Sequence, residues 1–479
     1  MSNQRIKTFS SLPTPKEIIE QCDTVNYDFI NESRKTIENI LSGKDDRMLV
    51  IVGPCSIHNY VQAIEYAKKL HEGKYKNLFI VMRVYFEKPR TCLGWKGLIY
   101  DPYLDNSNKI PDGLLIARKL LIELTKMEIP VGLEFLDTIT PQYLADLVSW
   151  GAIGARTSES QVHRHLASGL SMPVGFKNLT DGNVLKAIEG AKSASYPQAF
   201  LGIDENGQSS LIETIGNQFS HIILRGGITT NYNEDTINNV SELLEKNVLY
   251  GLNKNKIIID CSHDNSEKNY KRQGLVAVYT RRLHLTKKYP ICGIMIESNI
   301  NEGSQKISTD LLYGVSVTDS CINIEDTFYL LNILDKMTIV ECNDLPDVRK
   351  YISYYDDFII NNQTNFNPII TSTIKSYDVD KQINDLTQNN FRQNILLALR
   401  LSFSEKVAEF KFNTFNFLKK DTNLLELVTN NEVEQNIIQK SKDSSALMIK
   451  IMNLSKWIQV ELIKELLNKR RYRKLSIIT

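Results

Sequence analysis

Chemistry first becomes legible in a buried run that turns cationic: FIVMRVYFEKPRTCLGWKG, residues 79–97. Its first half, Phe79 to Val84, has the apolar, β-branched character of a strand covered on both faces. Arg83 sits inside that run, and Lys88, Arg90 and Lys96 follow in a segment punctuated by Pro89, Gly94 and Gly97. Desolvating a guanidinium without a counter-charge is costly, so Arg83 calls for a partner. Either an anion binds there from outside, or an internal carboxylate pairs with it and the loop cations are solvated.

The same juxtaposition recurs along the chain. Short apolar runs occur at 48–53 (MLVIVG), 79–84 (FIVMRV), 131–135 (VGLEF), 152–156 (AIGAR), 173–177 (PVGFK), 221–225 (HIILR), 257–262 (IIIDCS) and 293–298 (GIMIES). At or just past their C-terminal ends come Cys55, Arg83, Glu134, Arg156, Lys177, Arg225, His263 and Glu297. One such residue could be a chance loop charge; one per run, in phase, points to a shared site. Arg83, Arg156, Lys177 and Arg225 can grip carboxylate or phosphate. Cys55, His263 and Glu297, joined by Asp319 of GVSVTDSCI, suit a divalent transition metal, although their dispersed spacing matches no local zinc motif. Cys92, Cys261, Cys292 and Cys321 read as ordinary core or loop thiols. A face that binds at least two anionic groups beside a metal fits a phosphorylated small molecule meeting a second oxyanion, with the metal polarising a carbonyl.

Elements must bring these residues together. Most runs are followed by helix-periodic stretches such as YVQAIEYAKKLHEG and PQYLADLVSWG, a pattern that predicts an α/β fold of the (β/α)8 TIM-barrel type. In that architecture the strand ends converge on the face that carries active sites. A ninth run, AFLGI at 199–203, exceeds the count and is expected in an inserted hairpin. Residues 1–45 are expected to form an N-terminal arm and outer helix, with SLPTPKEI marking a turn and an amphipathic helix over 30–42 closed by Gly43. The barrel is placed at 46–335, a linker at 336–380 and an all-helical domain at 381–479.

The 479 residues suffice for two or three domains, and a net charge of +1 gives no reason to expect nucleic acid or a membrane surface as the main partner. Seven scattered cysteines without a CxxC pair point to a reducing cytosol. The start, MSNQRIKTFSSLPTPKE, lacks a signal peptide's apolar core, and no apolar run reaches the roughly 18 residues of a membrane helix. A cytoplasmic location is expected.

The motifs GPCSIH (53–58), MRVYFEKPRT (82–91), GWKG (94–97), GARTSESQVHR (154–164), GFKN (175–178), HIILRGG (221–227), DCSH (260–263) and ESNINEG (297–303) resemble the class I (alpha-type) 3-deoxy-D-arabino-heptulosonate 7-phosphate (DAHP) synthases. These condense phosphoenolpyruvate with erythrose 4-phosphate to open the shikimate pathway. The resemblance implies one divalent metal (Mn, Fe, Co or Zn) on Cys55, His263, Glu297 and Asp319. It places phosphoenolpyruvate on Arg83, Lys88, Glu134, Arg156, Lys177 and Arg225, and erythrose 4-phosphate on Arg90 and Thr91, with Lys177, Lys88 and Glu134 in catalytic roles. Lys177 is the candidate for proton handling, because neighbouring cations disfavour its ammonium.

FLGIDENGQSSLIETIGN (200–217), DCSH and IESNI look most like the tyrosine-sensitive isoenzyme, which implies an aromatic amino acid effector held by Asp137, Gln142, Ser171, Phe200 and Gly202 with the N-terminal arm contributing. Absence of a side chain at Gly202 is expected to leave room for tyrosine's hydroxyl. Leu179 and Asp264 depart from the family's pattern, and Asp264, next to a ligand histidine, is expected to alter metal affinity.

Past the linker, from about residue 381, the pattern becomes helical. RLSFSEKVAEFK (400–411) and SKWIQ (455–459) resemble the all-helical AroQ-class chorismate mutases, with Arg400, Lys411, Asp421, Ser455 and Gln459 matching. Ile383 lies near the place of the family's first-helix Arg, and only Asp421 of its Asp-x-x-Arg-Glu run is kept. A dimerisation module with Arg400 and Lys411 solvated is the competing reading, and a degraded mutase kept for effector sensing or docking is a third. Three helices of this size leave apolar stripes uncovered, so a homo-oligomer, dimer or tetramer, is expected. KRRYRK (469–474) reads as a helix end complementing the macrodipole.

Overall fold

The computed structural model describes residues 4–90, 92–247 and 256–337. Thr91, the helical region from 381 onward with Arg400, Lys411, Asp421, Ser455 and Gln459, and all of the expected linker past Met337 lie outside the described residues.

The arm carries a short helix, α1 (Pro15–Glu20), where the sequence pattern suggested only a turn. A capping box builds it: Glu17 N–H donates to the Thr14 hydroxyl and the Glu17 carboxylate accepts from Thr14 N–H at 2.7 Å. The Thr-Pro-Lys-Glu spacing carried that signal. Helix α2 (Tyr27–Ser42) follows, longer by three residues than expected and closed by Gly43 in the left-handed conformation.

The barrel strands are β1 (Met48–Gly53), β2 (Leu78–Arg83), β3 (Val131–Glu134), β4 (Trp150–Ile153) and β5 (Val174–Lys177). After them come a two-stranded insertion, β6 (Ala199–Ile203) with β7 (Ser209–Glu213), and then β8 (His221–Leu224), β9 (Ile257–Asp260) and β10 (Ile291–Asn299). Each barrel strand leads into a helix: α3 (Tyr60–Glu72), α4 (Ile110–Lys126), α5 (Pro141–Leu144), α6 (Gln161–Gly169), α7 (Leu185–Ser195), α8 (Glu234–Lys246), α9 (Gln273–Thr286) and, after the short β11 (Ile322–Asn323), α10 (Ile324–Lys336). All barrel pairings are parallel, and β1 pairs with β10, which closes the sheet into the expected (β/α)8 barrel. The fourth strand starts two residues before the apolar run that announced it. The ninth run is the first strand of an antiparallel hairpin, β6–β7, set in the connection that leads into β8.

Packing explains why the strand ends are held so firmly. The barrel interior is filled by Ile51, Val81, Trp150, Ile223, Ile258 and Met295, each fully buried. Each large apolar side chain removed from water contributes roughly 1.5–3 kcal/mol, so the interior is a rigid plug. A polar insertion in it is satisfied: the Trp150 indole donates to His221 Nε2 at 3.1 Å, and burial holds His221 neutral, down to about 4. Register then sets the height of the polar residues. Gly53 lies opposite Glu297 and Asp260 opposite Met295, so Cys55, Glu297 and Asp260 emerge within two residues of one level.

Candidate active site

Six of the eight strand-end residues, Arg83, Glu134, Arg156, Lys177, Arg225 and His263, line a single cleft of about 610 Å³ together with Lys88, Arg90 and Asp319. The other two, Cys55 and Glu297, form its floor. Convergence on one face, expected from the barrel pattern, is what the structure has.

The floor is a compact donor set. Ligand atoms of Cys55, Glu297 and Asp319 lie within 4.8 Å of one another. His263 joins from the side, its Nε2 4.0 Å from Glu297 Oε1. Cys55 Sγ is 3.3 Å from Asp319 Oδ2 and 3.1 Å from Lys88 Nζ. Burial, with Glu297 adding to it, pushes the Cys55 thiol up to about 12. Burial would likewise raise Glu297, but His263 and Arg83 outweigh it and hold the carboxyl below its ordinary range. Asp319 opens to the cleft, and although desolvation opposes ionisation, Lys88 and His263 keep it lowered. One soft thiol, one imidazole and two ionised carboxylates fit a first-row divalent cation. A bound cation would supply the charge that the buried thiol lacks for ionisation.

Arg83 takes the internal-carboxylate alternative. Its Nη2 donates to Glu297 Oε1 at 2.9 Å and its Nε to the Pro54 carbonyl at 3.1 Å, while Tyr85 lies beneath its guanidinium at 3.6 Å. The side chain is 1% exposed and Glu297 is 0% exposed, so the pair depends on this full set of partners. Arg83 thereby ties the cationic wall of the cleft to the donor set on its floor.

Lys177 is likewise paired. Sequence reasoning surrounded it with cations, but the structure sets the wholly buried carboxylate of Asp260 3.1 Å from its Nζ. The same Oδ2 lies 3.0 Å from His263 Nδ1, and neither approach is aligned as a hydrogen bond. Desolvation opposes the charge on Asp260, yet His263 and Lys177 hold it well below the carboxylate range. Asp260 therefore touches both a candidate ligand and the candidate proton carrier. It was not singled out from the sequence, although an acid closing the buried run IIID was the available signal.

Loops at this mouth are fixed by buried amides that sequence reasoning also passed over. Asn178 accepts from Arg225 N–H at 2.8 Å and from Asn231 Nδ2 at 3.1 Å. Asn265 donates to the carbonyls of Leu224 and Asp260 at 3.1 and 3.0 Å. His263 itself adopts a left-handed backbone, φ 54°, which a non-glycine residue holds only when its surroundings insist. A Cβ on Gly154 would collide with Glu134 Oε1, so this glycine is what lets the Glu134 carboxylate lie across the end of β4.

Arg156 and Arg90 are exposed at the rim, and Arg90 donates to the Trp95 carbonyl at 2.8 Å. Asp264 pairs with Arg225 at 2.7 Å rather than with any of the floor donors.

The residues expected to hold an effector are more scattered. Phe200 and Gly202 share β6, and Phe200 packs near His165 of α6 with ring centroids 6.1 Å apart. Ser171 and Gln142 are exposed, on the loop after α6 and on α5. Asp137 lies behind β3, where its carboxylate accepts from the Tyr100 hydroxyl and the Ile139 N–H, each at 2.7 Å. A Cβ at Gly202 would meet Ile212 Cδ1, so the missing side chain makes room for Ile212. The arm does reach this region: Lys16 N–H donates to the Glu205 carbonyl in the hairpin turn at 2.9 Å, and the Tyr143 hydroxyl of α5 to the Pro13 carbonyl at 2.7 Å.

Comparison with known proteins bears on the same region. A family model described as "DAHP synthetase I family" matches residues 24–332. The chain is 49% identical over 337 residues to the Phe-sensitive phospho-2-dehydro-3-deoxyheptonate aldolase of Escherichia coli K12, covering 69% of this chain and 95% of that protein. It is also 49% identical over 308 residues to the Tyr-sensitive enzyme of the same strain, covering 63% and 85%. A solved structure of phospho-2-dehydro-3-deoxyheptonate aldolase from Francisella tularensis SCHU S4 superposes with a TM-score of 0.67 at 46% identity, over 69% of this chain and 98% of that one.

Proposed function

Because the chain belongs to the DAHP synthetase I family, we propose that it condenses phosphoenolpyruvate with D-erythrose 4-phosphate and water to give DAHP and inorganic phosphate, the first step of the shikimate pathway. The observation that carries this reading is a shared mouth: Arg83, Lys88, Arg156, Lys177 and Arg225 line the cleft above Cys55, Glu297 and Asp319.

Phosphoenolpyruvate carries a carboxylate and a phosphate, and Lys88, Arg156, Lys177 and Arg225 offer charge for both. Arg90, with Thr91, would take the phosphate of the aldose. Cys55, His263, Glu297 and Asp319 would hold the divalent ion, Mn, Fe, Co or Zn, which when bound polarises the aldehyde toward attack by C3 of the enol. Glu134 faces the cleft as a carboxylate acceptor for the water that adds at C2, and phosphate leaves by C–O cleavage. Lys177, with Asp260 as its counterion, handles the proton at this centre. Its loss in Lys177→Met is expected to lower turnover by about 10²–10⁴-fold with substrate binding measured separately.

Relatives of this chain are named Phe-, Tyr- and Trp-sensitive. An aromatic amino acid effector is accordingly proposed here, with tyrosine favoured, at the β6–β7 hairpin with Gln142, Ser171, Phe200, Gly202 and the arm, and with Asp137 behind β3. A tyrosine hydroxyl at Gly202 requires Ile212 to change rotamer. For residues 381–479, a fused chorismate mutase is proposed, the alternative being a degraded regulatory or dimerisation module. Prephenate formed from chorismate by the full-length chain supports the first, and its absence beside intact synthase activity supports the second.

The test of the main reading uses the full-length chain with Mn²⁺, erythrose 4-phosphate and phosphoenolpyruvate carrying ¹³C at C2. The enol carbon signal is expected to give way to a hemiketal carbon, with one phosphate released per phosphoenolpyruvate consumed. No consumption of either substrate would overturn the proposal.

A further inference from the structure

The Arg225 guanidinium is paired with the carboxylate of Asp264 inside the cleft, and from this pairing we propose that Asp264 is an internal competitor for the anion that Arg225 would bind. The claim deepens the reading of Arg225 as a substrate-anion residue and rests on it.

Asp264 Oδ2 lies 2.7 Å from Arg225 Nη1, and its Oδ1 lies 3.7 Å from Lys268 Nζ. One carboxylate thus spans two cations, as a phosphate oxygen set would. Among the described residues, the Arg225 guanidinium has, apart from Asp264, a 3.5 Å contact to the Gly226 carbonyl. Arg225, Asp264 and Lys268 all line the same cleft. The pair is 9% and 17% exposed, sheltered enough to resist screening yet open on the side from which a ligand arrives.

Backbone construction places the acid there. Gly226 has φ 80°, and a Cβ on it would stand 2.7 Å from the Asp264 carbonyl carbon and 2.9 Å from the Asp264 Cβ. A side chain at 226 would therefore push the Asp264 loop off the end of β8. Asn265 N–H donates to the Arg225 carbonyl at 3.3 Å, which ties the main chain beside Asp264 to the strand end. With the main chain anchored, only the Asp264 side chain is free to swing aside. An incoming phosphate must displace that carboxylate or share the guanidinium with a like charge, and either lowers its affinity. The same competition returns Arg225 to its resting partner when phosphate departs.

Isothermal titration of the full-length protein with inorganic phosphate, and separately with phosphoenolpyruvate, tests this in wild type, Asp264→Ala and Asp264→Asn. Asn keeps the shape and removes the charge, so it guards against a folding artefact in the alanine variant. Both variants are expected to bind both probes about 3- to 10-fold more tightly, the scale of one partly exposed ion pair, with KM for phosphoenolpyruvate falling in parallel. Unchanged or weaker binding in both variants would overturn the proposal and make Asp264 a residue that positions Arg225. A wild-type protein that binds phosphate but condenses nothing would sink the proposed reaction while leaving the phosphate titration to decide the role of Asp264.

Discussion

At the mouth of the barrel buried charge meets buried charge, Arg83 with Glu297 and Lys177 with Asp260, whereas at the hairpin inserted before β8 apolar side chains stand in the open, Leu201 at 88% and Leu211 at 69% exposed. The barrel interior below the mouth is packed with large aliphatic and aromatic residues, and that packing makes it affordable to hold ionised groups out of water in a fixed arrangement. The hairpin has no such support. It is a two-stranded ribbon resting on α6 through contacts such as Ser168 Oγ to Thr214 Oγ1 at 2.7 Å, with the arm tied to its turn. A rigid, charge-matched end suits chemistry. A lightly held ribbon with an apolar outer face suits binding that changes with conditions.

Breaking this contrast at the rigid end should have the largest effect. Asp260→Asn removes the carboxylate that faces both His263 and Lys177, so metal affinity and turnover are both expected to fall about 10- to 100-fold, read by chelator competition and by steady-state rate. Retention of wild-type metal affinity would show that the two contacts are incidental. At the lightly held end, Gly202→Ser should leave turnover unchanged while moving inhibition about 10-fold from tyrosine toward phenylalanine, since the new hydroxymethyl group must share space with Ile212. A drop in turnover would mean that the hairpin is part of the catalytic framework, and the contrast would fail.

The smallest effect concerns a buried acid on the loop after β2. Glu87 accepts from the N–H groups of Leu136 and Asp137 and from the Thr140 hydroxyl, and burial, with Asp137 beside it, pushes it up to about 8 from 4.5. The folded protein therefore keeps a proton that the unfolded chain releases, and stability falls as pH rises between those two values. Glu87→Gln removes that proton linkage. Between pH 6 and pH 9 the thermal midpoint of wild type is expected to fall further than that of the variant, by at least about 2 °C. An equal fall in both would show that Glu87 titrates normally.

The rigid end was the readable one. Strand-end residues announce themselves by type, because an arginine, lysine or acid closing a β-branched run is improbable without a purpose, and parallel strands in a barrel bring such ends together. What the pattern could not supply was pairing. Arg83 reads equally well as a substrate ligand or as half of an internal pair until register puts Glu297 beside it, and Lys177 reads as crowded by cations until Asp260 emerges two strands over, on the far side of β8. Asn178, Asn231 and Asn265 were passed over because a buried amide network has no periodicity. Asp264 was legible as an oddity beside His263, but its partner is Arg225, which lies on a different strand and beyond the reach of local spacing.

The most direct test of the whole account is a cobalt titration of the metal-stripped full-length protein, followed by near-ultraviolet absorption. A thiolate-to-cobalt charge-transfer band that saturates at one ion per chain, restores condensation of phosphoenolpyruvate with erythrose 4-phosphate, and is absent in Cys55→Ala is the predicted result. Full activity in the chelated protein, or a band that survives loss of Cys55, would contradict it.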